Sequence, residues 1–332
     1  MSVAYRLMNP AEESAVLSLW SAVFHVPYVQ EEQRFISDPH RYQTTFVAVA
    51  SDGTILSTAH YRVYERRDAD GTPRRVGELD PIATHPDAER QGHATRLITC
   101  ALDAMQQDGC DWSILETSEA GRPLYQRLGW HTFPIRYRRG ALANQRSVCP
   151  TAYSTHRYET PIGVQDWAQF ARLYTAYNAT RPLTVVRNSK YWQMFTAVRL
   201  MQRITNEHLH IFGAWSTDTA NQLCGYILVH FFDAAFLVTE IGVLPYDTSA
   251  ITALLAAVGD EASRRGLRYG EVDLPHEAAL DAVIADLFGA SLHLSDANMR
   301  IMACPINPGF RAEQLEALFH APNAFYSTID HF

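Results

Sequence analysis

The feature that most constrains this chain is the direct succession of a strand, a polar turn with a glycine, and a helix between residues 75 and 104. Residues 76–84 lean apolar and predict a strand, and apolar residues at helical spacing follow the turn until Gly109. The first amides of a helix have no partner inside it, so with the helix dipole they form an anion site that glycine leaves open to a phosphate. Most such turns are plain connections, so this one indicates a phosphate site only together with a further signature.

The turn, Glu89-Arg90-Gln91-Gly92-His93-Ala94, resembles the acetyl-CoA loop of the GCN5-related N-acetyltransferases (GNAT), whose pattern is Gln/Arg-x-x-Gly-x-Gly/Ala. Gly92 and Ala94 match this pattern, whereas Glu89 stands where the family has Gln or Arg, and Arg90 brings a positive charge beside it. The resemblance implies that main-chain amides hold the cofactor pyrophosphate. The loop residues it assigns to the cofactor are Glu89, Arg90, Gln91, Gly92, His93, Ala94 and Thr95.

A second segment, residues 121–130, resembles the other signature of the family, Leu-Tyr-x-x-x-Gly-Phe/Trp, through Leu124, Tyr125, Gly129 and Trp130. Two signatures in the family's order and spacing imply a GNAT domain over residues 1–145. The predicted fold class is therefore α/β, with the mixed sheet of an α+β protein.

The second half, residues 161–332, repeats the strand and helix plan, and residues 146–160 are predicted to be a linker. The loop position there reads Pro245-Tyr246-Asp247-Thr248 and has no glycine, which predicts a degenerate GNAT-like domain without cofactor binding. Tandem GNAT proteins share this arrangement, and the length is similar to that of the fungal lysine N-acetyltransferases.

Local patterns predict further elements. Asp52-Gly53 marks the turn of a hairpin between strands at 45–50 and 55–64. A helix capped near residue 117 is expected to run to Leu128, followed by a strand over 130–137.

The composition excludes several classes of function. A net charge of −8 and a pI of about 5.9 argue against a nucleic-acid or anionic-membrane partner. No secretory segment is visible, and the five cysteines are scattered without metal-ligand spacing, so we expect a cytoplasmic, reduced protein that needs no metal. A monomer and a homodimer both stay open.

Acetyl transfer to an amine requires a base for the ammonium and an acid for the leaving thiolate. Glu78 is the candidate base, because histone acetyltransferases of the family have their strand glutamate at the matching position. Strand alternation predicts that Glu78, Asp80 and Ile82 share one face. The alternative is that Glu78 is a solvated strand residue or pairs with an arginine. Tyr125 is the candidate acid, because the matching tyrosine of the family faces the CoA sulfur, although a buried core tyrosine is the alternative.

The resemblance also implies that the strand before the loop splays from its neighbour and holds pantetheine and thioester through the main chain of Ile82, Ala83 and Thr84. Pro81 fits a bulge there, because it cannot donate to a regular ladder. His85 and His93 are expected to be solvent-facing loop residues. In some tandem relatives the terminal carboxylate acts as the base, so Glu78, Asp80, a water chain and the Phe332 carboxylate all stay open.

The function expected from these residues is acetyl-CoA-dependent N-acetylation of a primary amine, by direct attack in a ternary complex. The acceptor is a small molecule, an amino acid such as lysine, or a protein lysine. The second half is expected to form one wall of the acceptor pocket. Tyr191, Trp192 and Phe195 either line this pocket or belong to the core. The alternative is a non-catalytic acyl-CoA-binding sensor or scaffold.

Overall fold

The computed structural model describes residues 2–143, 152–158, 162–200, 209–218, 222–245 and 247–330, which form two seven-stranded sheets. Each sheet with its helices is called a lobe, the first lobe containing the N-terminal strands. The strands are β1 (Val3–Leu7), β2 (Thr45–Ala50), β3 (Ile55–Arg67), β4 (Pro73–Thr84), β5 (Trp112–Glu116), β6 (His131–Thr132), β7 (Arg138–Ala141), β8 (Tyr153–Arg157), β9 (Leu209–Ser216), β10 (Leu223–Phe231), β11 (Phe236–Val243), β12 (Tyr269–Val272), β13 (His293–Leu294) and β14 (Ile301–Pro305).

Ten helices lie in the described ranges, apart from short 3₁₀ turns and a π-helical turn at Phe195–Leu200. They are α1 (Glu13–Phe24), α2 (Tyr28–Ile36), α3 (Arg41–Thr44), α4 (His93–Gln107), α5 (Arg122–Arg127), α6 (Val164–Tyr177), α7 (Ser189–Met194), α8 (Thr248–Arg264), α9 (Ala278–Phe288) and α10 (Ala312–Phe319). None of them is both long and apolar enough to cross a bilayer.

The two sheets have the same plan. The first has the order β1-β2-β3-β4-β5-β14-β6, and the second has the order β8-β9-β10-β11-β12-β7-β13. All neighbours are antiparallel except β4 with β5 and β11 with β12. The predicted mixed-sheet α/β fold class is therefore confirmed, with a second lobe built like the first.

Each sheet takes one strand from the other half of the chain. β14 pairs with β5 in the first sheet, and β7 pairs with β12 in the second. β8, which lies inside the segment predicted as a linker, is the edge strand of the second sheet. The division into 1–145, 146–160 and 161–332 stays a prediction, but the strand exchange shows that the sheets are built from both halves.

Helix α4 forms the core on one face of the first sheet. Its buried residues Ile98, Ala101 and Met105 pack against Tyr61 and Leu79 of the strands. On the opposite face, α1 and α2 bury Trp20 and Phe35. A side chain at Gly77 would meet the Met105 sulfur at 2.4 Å, so the absence of one lets α4 lie close to β4. This packing fixes the start of α4 relative to β4.

Three local predictions have different outcomes. The hairpin turned by Asp52-Gly53 is confirmed, with the Ala50 amide donating to the Thr54 carbonyl. The helix expected from residue 117 is wrong at its start, since α5 begins only at Arg122 after a turn, with a proline in its first turn. The strand expected over 130–137 is wrong beyond β6, because Pro134 cannot donate to a ladder.

Candidate active site

Strands β4 and β5 separate after a short parallel stretch and leave an opening between them. Glu78 pairs with Ile114 in the last step of their ladder. Beyond this step, β4 continues to Thr84 against β3 alone, and the other edge of β5 is taken by β14. Glu78 therefore lies at the apex of a V-shaped gap in the sheet.

A bulge in β4 shapes this gap. Asp80 and Pro81 together stand opposite His60, because Tyr61 pairs with Leu79 and Ala59 with Ile82. A proline without an N–H fits such an irregular step, so the expected bulge at Pro81 is confirmed.

The bulge makes the prediction that Glu78, Asp80 and Ile82 share one face wrong. Asp80 binds Arg34 of α2, with 2.9 Å between its Oδ2 and Nη2. Ile82 instead packs with Leu97 of α4 on the opposite face, and Ala83 packs with the α1 side. The extra residue in β4 reverses the alternation after Asp80.

The turn before α4 presents a row of free amides. Gly92 is the N-cap, with φ +85°, and Arg90 also has a positive φ of 60°. Within residues 2–143 and the other described ranges, no group accepts a hydrogen bond from the N–H of residues 90–95. The space where a Cβ of Gly92 would lie is open, with no atom within 4 Å. This helix start can therefore accept an anion.

The corresponding helix start of the second lobe is closed by a carboxylate. Asp247 caps α8, accepting the Ala250 amide at 2.9 Å, and Tyr153 donates its hydroxyl to the same carboxylate at 2.7 Å. A negative charge that already accepts one of the first amides opposes a phosphate there.

His93 is buried rather than solvent-facing, so that prediction is wrong. Its ring is 5% exposed and its Nδ1 lies 2.7 Å from the Tyr5 hydroxyl on β1. The first residue of α4 points its side chain inward because the apolar face of the helix continues to its end. His85, in contrast, is partly exposed in the loop, as expected.

Tyr125 lies on α5, where its ring meets Trp130 edge to face at 5.9 Å. The side chain is 8% exposed, and none of the described residues hydrogen-bonds its hydroxyl. Burial raises the pKa of the phenol above its usual range, and the Asp80 carboxylate raises it further. The phenol therefore stays protonated at neutral pH, and the charged group that acts on it is the Asp80 carboxylate of β4.

The two carboxylates of β4 have different surroundings. Glu78 is 2% exposed and lies 3.5 Å from Arg66 of β3, which also donates to the Leu183 carbonyl at 3.0 Å. The side chain of Asp80 is 22% exposed. The structure thus brings Glu78 together with an arginine, the pairing that the sequence left open, and leaves Asp80 more accessible.

The C-terminal segment runs through the interior as far as Asp330. Asp330 lies 2.9 Å from Arg187, which also pairs with Glu240 of β11. Tyr191 donates its hydroxyl to the same aspartate at 2.7 Å. No local pattern in the sequence indicates this charge cluster, because its members are far apart in the chain. The Phe332 carboxylate, a candidate base, lies outside the described residues.

The three aromatic residues expected as lining of the acceptor pocket or as core are all buried in the core of the second lobe. Tyr191 contributes to a cavity between the lobes, whereas Trp192 and Phe195 pack around the Arg187 guanidinium. Among the described residues, no three His, Cys, Asp or Glu side chains are arranged to hold a metal ion.

Comparison with known proteins identifies the first lobe. Residues 4–133 match the family model described as an acetyltransferase (GNAT) domain. No curated protein sequence matches significantly.

Solved structures extend the likeness over both lobes. A probable N-acyltransferase from Enterococcus faecalis V583 matches with a TM-score of 0.71 at 13% identity, over 92% of this chain and 73% of that one. A GCN5-related N-acetyltransferase from Anabaena variabilis ATCC 29413 matches with 0.70 at 13% identity, over the same shares. A tandem GNAT protein from the clavulanic acid biosynthesis pathway matches with 0.57 at 14% identity, over 92% of this chain and 99% of that one. The TM-scores show a shared fold, and the covered share of this chain shows that it includes both lobes.

Proposed function

We propose that this chain, whose residues 4–133 match an acetyltransferase (GNAT) domain, transfers the acetyl group of acetyl-CoA to a primary amine. The observation that carries this proposal is the row of free amides at residues 90–95, next to the gap between β4 and β5. The reaction is a direct attack of the amine in a ternary complex.

The helix start and β4 together fit the cofactor. The free amides and the open space at Gly92 accept the diphosphate, and the Arg90 side chain adds positive charge. The edge of β4 that faces the gap has no strand partner beyond Glu78, so the main chain of Ile82 and Thr84 is available to pantetheine. Ala83 is not available in the same way, because its carbonyl accepts the Ser57 hydroxyl of β3 at 2.9 Å. The second lobe, with Asp247 on its helix start, contributes no second cofactor site.

Two carboxylates compete for the role of base. Glu78 lies at the apex of the gap but is held by Arg66, whereas Asp80 is more exposed and is held by Arg34. Either accepts the proton that the ammonium must lose before attack, directly or through water. The nitrogen then bonds to the thioester carbon and the carbon–sulfur bond breaks. Tyr125, whose burial keeps the phenol protonated at pH 7, donates its phenolic proton to the thiolate as the negative charge develops on sulfur. The second proton of the nitrogen passes through water and replaces the proton that Tyr125 gives to the thiolate.

The test is thiol release from acetyl-CoA with a panel of amines, together with calorimetric CoA affinity. Tyr125→Phe is expected to lower kcat about a hundredfold, the usual loss of a general acid, while CoA affinity stays within about twofold. Of Glu78→Gln and Asp80→Asn, the variant of the true base loses activity in the same way and regains part of it at high pH.

Two results would contradict the proposal. Unchanged kcat in all three variants would remove Glu78, Asp80 and Tyr125 from the site. CoA binding without thiol release under any amine would favour an acyl-CoA sensor. The panel should include free lysine, because the similarity to fungal lysine N-acetyltransferases stays a prediction.

A further inference from the structure

A cavity of about 520 Å³ lies between the two lobes. The first lobe contributes part of β3, the segment 38–44 and the end of α4, and the second lobe contributes residues around α7. The lining residues used below are Asp38, Arg62, Glu65, Arg75, Asp108, Lys190 and Tyr191.

This cavity opens along the edge of β3 where β2 ends. The ladder between β2 and β3 stops at the pair Thr45–His60. Residues 61–65 of β3 therefore have no β2 partner, and they line the cavity. Arg62 on this edge is the cross-strand partner of Glu78. Directly opposed residues have Cβ atoms about 5 Å apart, so the cavity wall is one strand away from a candidate base.

The same wall is connected to the other candidate base. The Arg62 guanidinium donates to the Arg34 carbonyl at 2.8 Å, and the Arg34 side chain holds Asp80 at 2.9 Å. A molecule in the cavity therefore lies against Arg62, which is opposite Glu78 in the ladder and is bound to the arginine that holds Asp80.

Lys190 is the only lysine among the 28 lysine and arginine residues of the chain, and it lines this cavity. Its side chain is exposed, and no carboxylate in the part of the chain that the structure describes lies within ion-pair distance of it. The backbone beside it is fixed, because the Asn188 side chain accepts the Tyr191 amide at 2.9 Å and the Tyr191 hydroxyl binds Asp330. Lys190 is thus a cation whose backbone is held in place and which has no carboxylate as an ion-pair partner among the described residues.

The cavity also contains the carboxylates of Asp38, Glu65 and Asp108, and none of them lies within ion-pair distance of Lys190. Arg62 lies 4.0 Å from Asp38, and Asp108 accepts the Tyr61 hydroxyl at 2.8 Å. Arg75, at the opposite wall, is a second cation without a carboxylate in ion-pair distance among the described residues. An ammonium on a flexible stem forms strong hydrogen bonds with a carboxylate.

We propose that this cavity holds the acceptor of the acetyl group and that Lys190 binds a carboxylate of that acceptor, which makes the substrate class amino acids and amino-acid-like amines. This inference rests on the acetyl transfer proposed above. The amine of the acceptor points to β4, and its carboxylate points to the second lobe.

The kinetic test uses pairs of amines that differ only in the carboxylate, such as lysine and 1,5-diaminopentane. Lys190→Met keeps the length of the side chain and removes its charge, and is expected to lower kcat/KM about ten- to a hundredfold for lysine and far less for the diamine. Lys190→Arg keeps the charge and retains the preference. Arg264→Met, an exposed arginine of α8 outside the cavity, serves as the matched control and changes neither value.

The binding test does not depend on turnover. Since Lys190 is the only lysine, an amine-directed acylating reagent modifies only this side chain and the N-terminal amine, and mass spectrometry gives the rate at each. Lysine with both amines acetylated, which cannot react further, is expected to slow labelling of Lys190 several-fold, whereas doubly acetylated diaminopentane is not.

The outcomes separate this inference from the proposed function. Protection of Lys190 without thiol release from any amine would overturn acetyl transfer and keep the cavity as a carboxylate site. Suppose that thiol is released from acetyl-CoA but the acetylated lysine does not slow labelling of Lys190, and that Lys190→Met lowers kcat/KM equally for both amines. This result would overturn the acceptor site and keep acetyl transfer.

Discussion

Replacing Gly92 by aspartate would copy into the first lobe the cap that Asp247 gives to α8. A side chain at Gly92 meets no atom within 4 Å, so the substitution causes no clash. A non-glycine residue at φ +85° costs about 1 kcal/mol, and a capping carboxylate returns about 1 kcal/mol. The free energy of unfolding is therefore expected to change by less than about 1 kcal/mol.

The effect on cofactor binding is expected to be much larger. Two unit charges about 5 Å apart in water repel by about 0.8 kcal/mol, so a diphosphate with two charges loses about 1.7 kcal/mol. The carboxylate also occupies one or more of the free amides, each worth about 1 kcal/mol to the ligand. The sum, about 3 kcal/mol, corresponds to CoA binding roughly a hundredfold more weakly.

Gly92→Asn is the matched control, because asparagine has nearly the same shape, tolerates the left-handed backbone and has no charge. Calorimetric titration with CoA at low and high salt, with urea unfolding of each variant, separates the effects. The difference between the Asp and Asn variants is expected to shrink as ionic strength rises. If both variants bind CoA within about twofold of the parent chain, the amides at residues 90–95 do not hold the diphosphate.

Three further predictions concern stability. Burial raises the pKa of Asp273 to about 7, so this carboxyl binds its proton more tightly in the folded chain than in the unfolded one, and up to about 4 kcal/mol of stability is lost as pH rises from about 4 to about 7. In urea unfolding, Asp273→Asn should flatten this slope, and an unchanged slope would contradict the assignment. Asp330→Ala should lower the free energy of unfolding by about 3 kcal/mol, because it removes a buried partner of Arg187, and a loss below about 1 kcal/mol would show that Glu240 suffices. A chain shortened to end before Ile301 loses β14 and exposes the edge of β5, so light scattering should show aggregation, and a monodisperse product that binds CoA would refute this.

What the sequence predicted correctly is local chemistry. The turn Asp52-Gly53, the head of α4 and the bulge at Pro81 each depend on residues within a few positions of one another. Glycine and proline restrict the backbone wherever they stand, so their effect is visible in the sequence alone.

What the sequence could not predict depends on distant partners. His93, at the start of α4, is buried against Tyr5 of β1, which is 88 residues away in the chain. Glu78 is held by Arg66, an arginine that in turn depends on a carbonyl of the second half of the chain. A periodic pattern shows that a residue faces inward, but not which charge it meets there.

The exchange of β7 and β14 has a consequence for the synthesis of the chain. A growing polypeptide usually folds its first domain before the rest has been made. Here the first sheet cannot be completed until the ribosome has passed residue 305, because β14 must lie between β5 and β6. The nascent N-terminal lobe therefore waits with the edge of β5 uncovered for most of translation, and this is the stage at which we expect a chaperone to be needed most.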